Sequence, residues 1–175
     1  MQTKTYNVYT FNELSDEAKE KAMDNLRDVN VSYEWWDATY YNAKEIGLAI
    51  ESFDLDRNRH ATGKFIDRVE NVARLIILTH GAHCETHKTA LAYQQDRDAL
   101  VSKLSDGKNT SVVTYENETE FDEQCDELDA QFLKDLLENY SINLQRESDY
   151  QTSDEAIIET IEANEYEFTS DGKID

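Results

Sequence analysis

No proline interrupts this 175-residue chain and only five glycines punctuate it, so helices can run long and ordinary linker material is missing. Its two cysteines, Cys84 and Cys125, lie far apart in sequence and are too few for a disulfide framework, which leaves reduced thiols as the expectation. No run approaches the roughly 20 apolar residues that span a bilayer, and the opening MQTKTYNVYTF lacks the apolar core of a secretion signal. A cytoplasmic location follows as an expectation. P-loop, GxSxG and dinucleotide fingerprints are also missing, which disfavours an enzyme and nominates no catalytic residue and no cofactor. The most uneven scarcity is that of positive charge. Residues 111–175 hold 3 Lys+Arg against 20 Asp+Glu, whereas residues 1–110 hold 14 against 18. Uniform acidification would spread the charge, but this pattern gives one end of the chain a strong negative field.

Enough apolar material is present to fold. Hydrophobic residues make up 39% of the chain, with 10 Tyr, 6 Phe and 2 Trp, too many for wholesale disorder despite a net charge of −21. Residues 4–11 read as a strand, and Ser15 caps a helix over 16–28 with Asp16 and Glu17 in its first turn. A helix over 33–46 places Tyr33, Trp36, Tyr40 and Ala43 on one face and ends near Gly47. Strands over 48–56 and 60–66 flank a polar turn, Asp67 caps a helix running to Gly81, and another helix covers 83–104.

Ser105–Asn109 is the clearest turn and the candidate boundary between an α+β core over 1–110 and an acidic segment over 111–175 docked on the same domain. A short strand is expected at Val112–Tyr115. Beyond it Phe121, Cys125, Leu128, Phe132 and Leu136 recur at helical spacing, so this helix has one buried side. Ser153 caps a last short helix, and Tyr166–Thr169 closes the chain as a strand or hairpin. The resulting fold class is α+β: a small antiparallel sheet packed by several helices, with an acidic amphipathic helix in the C-terminal third.

That helix is the first candidate site. Glu116, Glu118, Glu120, Asp122, Glu123, Asp126, Glu127, Asp129, Asp135 and Glu138 place ten carboxylates over 23 residues. Roughly 34 Å of helix then carries one charge per about 3.4 Å, near the phosphate spacing along one DNA strand. A solvated face is the ordinary account of an acidic helix, but ordinary faces mix signs to gain i,i+4 pairs, and this one accepts like-charge repulsion. Asp122, Asp126 and Asp129 lie off the apolar stripe and are the acids expected to carry function. The same electrostatics disfavours direct nucleic-acid or membrane binding and points to a basic protein surface as partner.

Three of the four histidines fall with Cys84 in His80-Gly81-Ala82-His83-Cys84-Glu85-Thr86-His87. His83 and His87 have the i,i+4 spacing that lets two imidazoles share zinc on a helix, with His80 or Cys84 completing the set, although no standard zinc motif is matched. A helix junction with a buried thiol is the plainer account. Asp54, Asp56 and Asn58 open like a calcium loop, which fails at Arg59 and Phe65. Among the aromatics Tyr33, Trp35, Trp36, Tyr40 and Tyr41, most are expected in the core. Trp35 and Tyr41 fall off the apolar face and form a secondary candidate partner surface.

The segments FNELSDEAKEKA, WWDATYYNAKEIGLAIESFDLDRNRHATGKF and DEAIIETIEANEYEFTSDGKI resemble a family of small acidic proteins encoded by bacteriophages and prophages. The resemblance extends over most of the chain and implies a phage context with no catalytic residues. By charge and size, though not by sequence, such a protein resembles anti-restriction and anti-CRISPR inhibitors that present DNA-like negative surfaces. The expectation is a non-enzymatic inhibitor of a host nucleic-acid-binding defence complex, using the acids of 116–138 with those of 147–167 against a basic channel. Two alternatives stand beside it: a metal-binding or nucleotide-processing enzyme centred on His80–His87, and an antitoxin-like neutraliser of a basic toxin.

Overall fold

The computed structural model describes residues 7–104 and 115–175, with side chains described for residues 7–102 and 119–175. Among the described residues the fold is α+β, and its four strands form two separate antiparallel pairs instead of one sheet. The chain divides into two compact units, one formed by residues 1–37 and 145–175 and the other by residues 38–144.

In the first unit a two-residue strand, β1 (Tyr9–Thr10), leads into a single 3-10 turn at Phe11–Glu13. Helix α1 (Asp16–Asn25) follows, and as expected Ser15 caps it, its hydroxyl accepting from the Ala18 amide at 3.3 Å. The helix stops three residues short of the expected 28. Residues 26–31 continue as turns in which the Val29 amide bonds the Leu26 carbonyl and the Val31 amide bonds the Asp28 carbonyl. Tertiary bonds hold this departure: buried Asn30 donates to the carbonyls of Gln151 and Ala156 and accepts from the Thr160 hydroxyl at 2.7 Å. Helix α6 (Asp154–Ala163) is capped by Ser153, and β4 (Glu167–Phe168) pairs with β1 in the register Tyr9 to Phe168. The core here is Phe11, Leu14, Ala18, Ala22 and Leu26 against Ile157, Ile161 and Phe168.

Gly172 closes this unit at φ +81°, and a Cβ there would stand 2.2 Å from the Ala18 carbonyl oxygen. Gly172→Ala is therefore expected to lower stability by more than about 1 kcal/mol, read as a fall in urea midpoint, because strain in the left-handed region adds to a backbone clash.

Helix α2 (Asp37–Glu45) leads into the second unit from its second residue onward and is followed at Gly47 by a positive-φ turn. It starts later than expected, so Tyr33 and Trp36 lie outside it, and Tyr33 is 60% exposed instead of core. Strands β2 (Leu48–Asp54) and β3 (His60–Phe65) form the expected hairpin, with the Asp54 carboxylate accepting from the Asp56 amide in the turn. Helix α3 (Val69–Thr79) has Arg68 at its N-cap. Asp67 instead accepts from the Arg68 amide and the Asn71 side chain, so it is not the cap expected from sequence. Helix α4 (Glu85–Leu104) begins two residues later than expected.

Helix α5 (Tyr115–Gln151) runs 37 residues, far beyond the expected 138, and Tyr115 belongs to it instead of a strand. The expected strand residues 112–114, the turn 105–109 and the N-terminal residues 1–6 lie outside the described part. The expected α5 stripe is buried at Cys125, Phe132 and Leu136 and continues through Leu137, Tyr140 and Leu144, while Phe121 and Leu128 are half-buried. Phe132, Leu136, Leu137 and Tyr140 pack with Ile46, Leu48, Val72, Ile76 and Tyr93 into the larger core. Among the described residues no helix is long and apolar enough to cross a membrane.

Candidate functional site: an acidic helix face

The amphipathic pattern that buries the α5 stripe turns most of its other residues outward, and the structure sorts eight of the ten acids by what they touch. Asp129 is half-buried. It accepts from the Tyr93 hydroxyl at 2.7 Å and lies 3.5 Å from Arg97, whose guanidinium also pairs with Glu70. Burial, together with the bond to Asp129, pushes the Tyr93 phenol well above its ordinary value, so it remains a donor. This acid is a tie between α3, α4 and α5, not part of the free face expected for Asp122, Asp126 and Asp129 together. Glu138 pairs with Arg59 at 2.7 Å. Asp135 and Glu120 accept from Gln131 and Gln124 one turn away. The side chains of Glu116 and Glu118 lie outside the described residues.

What remains is Asp122, Glu123, Asp126 and Glu127, all exposed and with no ion pair among the described residues. They form two i,i+4 pairs of like charge, an arrangement that weakens an isolated helix by about 0.2–0.5 kcal/mol per pair. Helix stability therefore does not account for them. The arginines bonded to α5 serve structure: Arg97 is bound by Glu70 and Asp129, and Arg59 by Glu138 and the Ser141 hydroxyl. Sequence spacing carried no sign of that sorting, since the tying residues Arg97 and Arg59 come from other elements.

The aromatic candidates separate. Trp35 and Trp36 meet edge to face at 5.6 Å and are half-buried, whereas Tyr41 is 63% exposed on α2. Trp35 and Tyr41 fall in different compact units.

At the α3–α4 junction the histidine cluster is hydrogen-bonded within itself. His80 Nδ1 is 2.6 Å from the Thr86 hydroxyl, Cys84 Sγ is 2.9 Å from that same hydroxyl, and His87 Nδ1 is 3.0 Å from the His80 carbonyl. His83 is exposed in the turn before α4, so it does not share a helix face with His87. Among the described residues no three His, Cys, Asp or Glu side chains come together as a metal site. Thr86 was not among the sequence candidates, and only its position two residues after Cys84 could have marked it.

Burial, and then neighbouring His87, hold His80 below the ordinary histidine value. A histidine with a lowered folded pKa binds its proton more weakly than in the unfolded chain. Stability is therefore expected to fall as pH drops below about 6.5, the unfolded value, until His80 itself is protonated. Thermal melts of wild type and His80→Gln across pH 7.5 to about 5 check this, with the variant losing that part of the slope.

Comparison with known proteins finds no matching family model, no matching curated protein and no matching solved structure.

Proposed function

We propose that this chain is a non-enzymatic, phage-encoded inhibitor that acts in the host cytosol. It presents the acidic face of α5 to the basic, nucleic-acid-binding surface of a host defence protein or complex. One observation carries the reading: Asp122, Glu123, Asp126 and Glu127 are exposed and unpaired on a helix whose opposite side is fixed in the core. A rigid row of unneutralised carboxylates is pre-organised for Lys and Arg, steers a basic partner at long range, and competes with phosphate without any chemistry. The phage context rests on the sequence resemblance, and a DNA-like arrangement of the charge deepens the same reading.

Affinity capture from a bacterial lysate at low salt, followed by mass spectrometry, tests it. A nucleic-acid-binding protein that is released by added nucleic acid supports inhibition by competition. Capture of a small basic toxin favours the antitoxin reading, and retention that nucleic acid cannot reverse contradicts the proposal.

A further inference from the structure

The second unit holds a cavity of about 540 Å³ between α2, α3, the start of α4 and α5. Ile46 and Leu75 give it apolar walls, and Cys84, His80, Thr86 and Tyr140 bring chemistry to it. Three observations there are independent of the acidic face. First, a single hydroxyl links thiol and imidazole: Thr86 Oγ1 lies 2.9 Å from Cys84 Sγ and 2.6 Å from His80 Nδ1, while sulfur and nitrogen are 3.9 Å apart. Second, Cys84 precedes a 20-residue helix and its carbonyl accepts from the Lys88 amide, so the sulfur stands at the end of α4 where the helix dipole favours negative charge. Third, Tyr140 lines the same cavity, is only 4% exposed, and its hydroxyl has no hydrogen-bond partner among the described residues. No buried side-chain nitrogen or oxygen among the described residues lacks a hydrogen-bond partner, so the Tyr140 hydroxyl is reached from the cavity and is free to donate to a ligand there.

We propose that Cys84 is a nucleophile for small activated acyl compounds, with Thr86 and His80 as its proton relay and Tyr140 as the donor to the carbonyl oxygen. The step balances. The Cys84 proton passes to Thr86 Oγ1 as the Thr86 proton passes to His80 Nδ1, and sulfur attacks the carbonyl carbon. The C–S bond forms, the oxygen becomes an oxyanion held by Tyr140, and the bond to the leaving group breaks. The leaving group takes the proton back along the same relay, so the product is an acylated Cys84 and a protonated alcohol or thiol.

Burial, then the neighbouring Cys84, hold the Tyr140 phenol up at about 12, so it donates throughout the neutral range. His80 is held below its ordinary value and is a neutral acceptor there. Glu45 of α2 and His87 of α4 are the other titratable groups close by, Glu45 lining the cavity and His87 bonded to the His80 carbonyl. The other thiol, Cys125, is buried in the core, and burial pushes it up, with Asp129, Asp122 and Asp126 adding to the shift against the opposing pull of Arg97. Reaction should therefore be confined to Cys84.

The test uses the full chain with p-nitrophenyl acetate and, separately, iodoacetamide at neutral pH. One equivalent of p-nitrophenolate with one acetyl group on Cys84 is expected, and none from Cys84→Ala. Thr86→Val should slow both reagents by about 10²-fold, because both need the thiolate, and Thr86→Ser should restore them. Tyr140→Phe should slow the ester by roughly tenfold to a hundredfold and leave iodoacetamide unchanged, since alkylation forms no oxyanion. A burst that survives Cys84→Ala, a Thr86→Val protein that reacts like wild type, or equal slowing of both reagents by Tyr140→Phe would overturn the proposal.

Discussion

Replacing Phe132 with Ala is expected to cost about 3–5 kcal/mol of stability, the largest single effect of any core change considered. Phe132 is 2% exposed and lies between two rings, with Tyr93 at 4.3 Å and Phe65 at 5.6 Å in near-parallel stacks. It joins α5 to α4 and to the β2–β3 hairpin, so truncation removes apolar burial and two aromatic contacts and leaves a cavity walled by rigid groups. Leu128→Ala should cost less, because Leu128 is only half-buried against that core. The measurement is the urea midpoint of each variant with its slope held constant. A Phe132→Ala protein as stable as wild type would mean that the stripe of α5 is not docked, and the acidic face would lose its fixed backing.

The hairpin was legible because β-branched and aromatic runs flank a polar turn, and the two serine caps were legible because each precedes two acids and then apolar residues at helical spacing, Ala18, Ala22 and Leu26 after Ser15 and Ile157, Ile158 and Ile161 after Ser153. The length of α5 was not. Residues 139–151 mix Asn, Ser, Gln and Arg with Tyr140 and Leu144, and buried Ser141 hides the apolar period; its hydroxyl donates to the Glu138 carbonyl and accepts from Arg59. Propensity also failed at residues 26–31, where Asn30 exchanges helical bonding for three tertiary hydrogen bonds. At the candidate site the density of acids was plain from sequence, but their roles were not. Asp129 and Glu138 look like their neighbours until partners 32 and 79 residues away are brought beside them.

That sorting sets the second prediction. Changing Asp122, Glu123, Asp126 and Glu127 together to Lys should leave the fold intact, because exposed unpaired positions usually shift stability by less than about 0.5 kcal/mol each. The same change places like charge against a basic partner and should weaken binding by at least about a hundredfold, since such juxtaposition costs several kcal/mol. Asp129→Lys is the contrasting control. It sets a cation against Arg97 and leaves the Tyr93 hydroxyl without its acceptor, so it should lower stability by about 1–3 kcal/mol.

Affinity for the captured partner, measured at low and at physiological salt for wild type and for the fourfold Lys variant, tests the charge mechanism most directly. Exposed charges are screened over about 8–10 Å at physiological ionic strength, so wild-type binding should weaken steeply with salt and the folded variant should bind at neither concentration. Binding that is indifferent to salt and undiminished in the variant would contradict the electrostatic mechanism.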